Sequence, residues 1–167
     1  MIATLLAIPI LGVLLLLQSA IFARFPLLRG TADLGLVVVI AWALQKRVQT
    51  AWQWGIIGGL LVGLASALPF WASLAIYLLA VAVALALRQR VWQAPILAMF
   101  IATFSITLLA HGITFIALRV SGVSLPLGQT LNLITLPSLI LNLVIAIPAF
   151  YLIADLAKWL YPEQLEI

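Results

Sequence analysis

The chain of 167 residues contains no cysteine, which excludes structural disulfides and thiolate-bound metals. Charge is nearly as scarce: Asp, Glu, Lys and Arg together make up 7% of the residues, with four acids, eight bases and one histidine. All four acids (Asp33, Asp155, Glu163 and Glu166) fall near the ends of apolar runs, so no paired-carboxylate site is built within them. The lone histidine, His111, has no acid near it in sequence to complete a triad or a metal set. A serine protease needs a serine beside a base and an oxyanion pocket, and no G-x-S-G stands in the chain. Although the pI is near 10.1, the basic residues are scattered at the ends of apolar runs. They form no face that could track phosphates, which argues against nucleic acid as a partner. The expectation is a non-enzymatic protein with no catalytic residue, metal or cofactor.

What is present is apolar. Hydrophobic residues make up 66% of the chain and the mean hydropathy is +1.32. No soluble domain hides that much apolar surface, so the chain reads as an integral membrane protein. Charges and turn residues divide it into six apolar runs, at about residues 2–22, 31–44, 52–68, 71–87, 94–118 and 129–160. Most are close to the roughly 17–25 residues that a tilted spanning helix needs. The second is short, and Asp33 is placed to cap its start, where a carboxylate accepts first-turn N–H groups. The first run has no Lys or Arg before it and no clean A-x-A after it, and is read as a retained span. The expected fold is therefore all-α, one transmembrane domain of six helices joined by loops too short for any extramembrane domain.

Six spans put the 2–3 and 4–5 loops on the same side as both termini. That side collects Lys46, Arg47, Arg88, Arg90 and Lys158, against Arg24, Arg29 and Arg119 on the other. Basic residues in short loops favour the cytoplasmic side, so both termini are expected there.

Gly55, Gly59 and Gly63 recur every fourth residue in the third run and form a groove down one helix face. Helix association in lipid depends on close backbone approach, because lipid is as apolar as leucine, and small residues at this spacing allow it. The third helix is accordingly expected to be the central packing post, with Trp52 and Trp54 at the headgroup level. Ala3 and Ala7 form a second small-residue pair in the first helix.

Polar residues inside the spans form two stripes. Thr103, Thr107, His111 and Thr114 share one face of the fifth helix, and Asn132, Thr135, Ser138 and Asn142 share one face of the sixth. Lipid cannot satisfy such groups, so both stripes should turn inward, as interhelical glue or as a polar cavity. A neutral His111 could be satisfied by Thr107 or by an amide of the sixth helix. Pro137 and Pro148 each remove a helix N–H, loosening the ladder of the sixth helix, and Ala146 and Ala149 continue its inner face with small residues. Asp155 and Lys158 read as an ordinary surface pair.

Several of these features together resemble the rod shape-determining MreD family. They are Leu17-Gln18-Ser19 closing the first helix, Ala32-Asp33-Leu34 opening the second, the Gly55/Gly59/Gly63 ladder, and Pro137-Ser138-Leu139-Ile140-Leu141-Asn142 in the last helix. Ala32 stands where family members often have proline, and Ser66 and Ala67 stand where they often have an acid. The resemblance covers essentially the whole chain. It implies a six-helix bundle similar to the S components of energy-coupling-factor vitamin transporters, in the bacterial cytoplasmic membrane. It also implies a non-enzymatic role in the cell-elongation machinery that builds lateral peptidoglycan. MreC would be the direct partner, docking on the small residues of the third helix or on the kinked outer face of the sixth. MreB, RodA and a penicillin-binding transpeptidase would be less direct partners. The alternative is an S component proper, a vitamin-binding subunit contacting its coupling subunit through Ala3 and Ala7.

Overall fold

The computed structural model describes residues 2–22, 31–91, 93–123, 126, 128 and 131–162. The expected loop residues Arg24, Pro26, Arg29 and Gly30, and the expected helix start at Gln129, lie outside them. Among the described residues the chain is all-helical, with six helices: α1 (Ile2–Phe22), α2 (Leu34–Leu44), α3 (Ala51–Ala65), α4 (Phe70–Arg90), α5 (Pro95–Val120) and α6 (Leu136–Leu160). A π-helical turn, Leu131–Thr135, leads into α6.

Four of these, α1, α4, α5 and α6 with its π turn, are long and apolar enough to cross a membrane. That marks a multi-pass membrane protein. The other two are shorter. At 1.5 Å per residue, the 11 residues of α2 extend only about 16 Å, roughly half the hydrocarbon thickness of a bilayer. The helix ends are set by ordinary local chemistry: Pro95 opens α5, where a missing N–H is harmless. Pro137, near the start of α6, follows the π turn and withholds the N–H that a regular α-turn would use there.

The centre of the bundle is α2, not α3. Every residue from Gly35 to Leu44 is buried, so α2 is enclosed on all sides. It packs against α1, α3, α4, α5 and α6. The glycine ladder of α3 does bring two backbones together, but its partner is α4, the next helix in the chain. A Cβ built at Gly59 would lie 2.9 Å from the Leu74 Cα, and one at Gly55 2.7 Å from Val81 Cγ2. At Gly63 the ring of Phe70 is 2.7 Å away. The α3–α4 hairpin consumes the face that sequence reasoning left open to a partner.

The two α3 tryptophans part company. Trp52 is 45% exposed, as a headgroup-level ring would be. Trp54 is fully buried, stacked on Trp42 with ring centroids 4.3 Å apart, and its indole N–H donates to the Ala3 carbonyl at 2.9 Å. It is a core residue that ties α1 to α3, which corrects its expected place at the interface. The helical turns expose one position and bury the other, and lipid or protein serves an indole ring equally well. Ala3 and Ala7 also face inward, at 6% and 0% exposure.

Candidate functional site

A helix as short as α2 creates a problem at its N-terminus. The chain leading into it, residues 31–33, is irregular, and its backbone N–H groups and those of the first turn have no helical acceptor. Within a membrane protein, non-helical backbone is tolerated only where protein groups satisfy it. Here α1 and α6, together with Asp33 of the segment itself, supply side chains for the purpose. Ser138 Oγ accepts from Thr31 N–H at 2.9 Å, and Asn142 Oδ1 accepts from Asp33 N–H at 2.8 Å. Gln18 Oε1, from α1, accepts from Leu34 N–H at 3.1 Å. Asp33 caps the helix as expected, accepting from Leu36 N–H at 3.0 Å.

Two further contacts lock this hub to α4 and α5. The Tyr77 hydroxyl donates to the same Asp33 oxygen at 3.2 Å. Asn142 Nδ2 donates to Thr107 Oγ1 at 3.0 Å. Tyr77 is buried because two glycines make room for it. A Cβ at Gly58 would sit 2.6 Å from its ring, and a Cβ at Gly35 would sit 2.7 Å from its hydroxyl oxygen. Five helices therefore meet at one polar cluster: α1 through Gln18, α2 through Asp33, α4 through Tyr77, α5 through Thr107 and α6 through Ser138 and Asn142.

The two polar stripes divide accordingly. Thr103, Thr107, Thr135, Ser138 and Asn142 are all buried. His111 and Thr114 are half-buried, and Asn132, in the π turn, is exposed, so the inward stripe of the sixth helix begins at Thr135 instead. The wider pitch of a π turn rotates Asn132 off the face that α-helical spacing assigns to it. His111 makes no hydrogen bond among the described residues. Thr107 and the Asn142 amide, its expected partners, are bonded to each other. Ala146 and Ala149 continue the buried face of α6, and Pro148 is exposed on its opposite side. The Asp155–Lys158 ion pair forms at 2.9 Å on the surface.

Sequence reasoning found most of the side chains in the hub and missed what they bind. Their main partner is backbone, which carries no side-chain signal. Tyr77 was missed altogether, and Gly35 and Gly58, which make room for it, lie outside the Gly55/Gly59/Gly63 ladder that the sequence singles out.

The hub has little free space. A cavity at its edge, between Gln18, Gly35, Gly58 and Tyr77, is about 10 Å³, the room of a single water. Chemically the arrangement can hold a backbone in place, and its donors and acceptors are directed at one another. Comparison with protein-family models, with curated proteins and with solved structures yields no match to this chain.

The bundle also carries an open groove. Between α1 and α6 runs a groove of about 300 Å³, floored by Leu34 and Val38 of α2 and walled by Ile10, Leu14, Ile145 and Pro148. Its lining is wholly apolar.

Proposed function

We propose that this protein is a non-enzymatic membrane scaffold of the MreD type. In this reading it is a subunit of the bacterial cell-elongation complex in the cytoplasmic membrane, with both termini in the cytoplasm, and it holds the transmembrane helix of an MreC-like partner. MreB, RodA and a penicillin-binding transpeptidase join less directly. One observation carries the reading: the residues on which the resemblance rests have a shared structural task. Gln18, Asp33, Ser138 and Asn142 all serve the lead-in to α2, through hydrogen bonds that span up to 109 positions of the chain. A set of side chains that satisfies one partly buried backbone segment belongs to a fold, not to a reaction.

The scaffold reading places the partner helix in the α1–α6 groove. The glycine ladder is occupied by α4, which leaves the kinked outer face of α6, where Pro148 stands, as the open candidate. The transporter alternative draws less support. Ala3 and Ala7 are turned into the bundle, away from any coupling subunit, and the space at the polar hub is far below the several hundred Å³ that a vitamin-sized ligand needs.

The test is co-purification from membranes with an MreC-type partner, followed by mass determination of the intact complex. Leu14→Trp and Leu152→Trp put bulk into or beside the groove without touching the hub. Release of the partner with unchanged bundle stability is the expected result. Full retention in both variants would reject the groove, and a tightly held vitamin in the purified protein would favour the transporter.

A further inference from the structure

At the opposite end of α2 from the polar hub, the bundle opens into a cavity of about 220 Å³. Its mouth carries Lys46, Arg47, Arg88 and Lys158, and its inner wall is formed by apolar residues that include Ala98 and Phe150. No acidic residue lines it among the described residues, although Lys158 is paired at 2.9 Å with Asp155 and shares its charge with that carboxylate. Cations at helix C-termini are ordinary partners of the helix dipole, and α2, α4 and α6 all end here. Two features go beyond that. The four cations converge on one hollow from three separate parts of the chain. Arg88, moreover, is held in a fixed orientation with no counter-ion among the described residues: its Nη1 donates to the Gln45 carbonyl at 2.9 Å and to the Val48 carbonyl at 3.1 Å. These bonds use one end of the guanidinium, so its Nη2 and Nε donors remain for a ligand. A guanidinium fixed in this way is suited to bidentate recognition of a phosphate.

We propose that this cavity is a binding site for the phosphate headgroup of an anionic phospholipid. The site lies where the helices end, at the level a bilayer headgroup occupies. Basic hollows between membrane helices hold anionic headgroups in this manner. The apolar wall formed by Ala98 and Phe150 accepts the upper part of an acyl chain, which a free anion would leave bare. The volume suits a headgroup and is small for a drug-sized cofactor. The proposal is independent of which protein partner the scaffold holds.

The experiment uses the full chain in phosphatidylcholine nanodiscs, with and without added phosphatidylglycerol, and native mass spectrometry to count retained lipid. The expected result is selective retention of phosphatidylglycerol. Each Lys or Arg near an anionic surface contributes a factor of about five, so Lys46→Gln with Lys158→Gln should weaken retention by about tenfold or more. Both side chains are exposed, so folding should survive the exchange. Arg88→Gln should abolish selectivity. If it also unfolds the bundle, the lysine pair decides alone. Equal retention of both lipids, or unchanged retention in the lysine double variant, overturns the proposal. Loss of bound phosphatidylglycerol to millimolar inorganic phosphate would identify a free-phosphate site and overturn the lipid assignment. Displacement by an acidic peptide from a partner protein, with no lipid preference, would overturn it as well.

Discussion

Asn142 is the side chain on which the lead-in to α2 depends most, and replacing it tests the hub directly. In Asn142→Leu the number and branching of side-chain heavy atoms are kept, at some gain in volume, while both polar contacts vanish. The bond to Thr107 is a membrane interhelical pair, for which measured values average about 0.6 and reach about 1.7 kcal/mol. The bond from Asp33 N–H is different in kind, because removing its acceptor leaves a partly buried backbone donor unpaired at about 1–3 kcal/mol. The Thr107 hydroxyl can turn to a carbonyl of its own helix, so its share stays at the lower figure. Together the expected loss is about 2–4 kcal/mol, read from equilibrium unfolding in mixed detergent micelles as the denaturing detergent is raised. Thr107→Val should lose only the first contribution, about 0.6–1.7 kcal/mol. The double variant should fall short of the sum by that same amount, since the two changes delete one shared bond. Asn142→Leu within 0.5 kcal/mol of the parent protein, or strict additivity in the cycle, would refute the claim that this amide holds the segment.

Three further outcomes follow from the same geometry. Thr103 lies one turn from Thr107 on the same buried face, yet its hydroxyl has no partner among the described residues, so Thr103→Val should be neutral or stabilising by up to about 1 kcal/mol, opposite in sign to Thr107→Val. The glycines should grade by what a methyl meets: Gly59→Ala, against the Leu74 backbone, should lose about 1–3 kcal/mol. Gly112→Ala, with open space, should be neutral or gain up to about 1 kcal/mol, both measured by the same unfolding assay. His111→Asn should leave stability and partner retention unchanged, because the imidazole is half-buried and unbonded among the described residues; loss of the complex would restore a role for it.

The parts of this protein that could be read in advance are those where lipid forbids an arrangement. Thr107, Ser138 and Asn142 had to turn inward because hydrocarbon offers no hydrogen bond, and they do. Asp33 had to cap something, and it caps α2. His111 and Thr114 turn in only halfway, and Asn132 fails through a local change of helix pitch that side-chain spacing does not encode. Within the hub, the donors from Thr31, Asp33 and Leu34 are main-chain groups that any residue but proline carries, so no residue type announced them. The ladder of α3 was legible as a close-packing face, whereas the identity of its partner was not, since Leu74 and Val81 look like any lipid-facing residues.

Sequence alone therefore determined that the chain is a multi-pass membrane protein of six apolar helices, and that Thr103, Thr107, Thr135, Ser138 and Asn142 face its interior. Tertiary structure decided which helix is central, which tryptophan is core, and which faces stay open. In water an apolar stripe reports burial, because exposure is costly there. In lipid an apolar side chain is equally stable against acyl chains or against a neighbouring helix. The wholly apolar α2 thus carries no mark of being the one helix enclosed on every side, and only its packing against the other five reveals it.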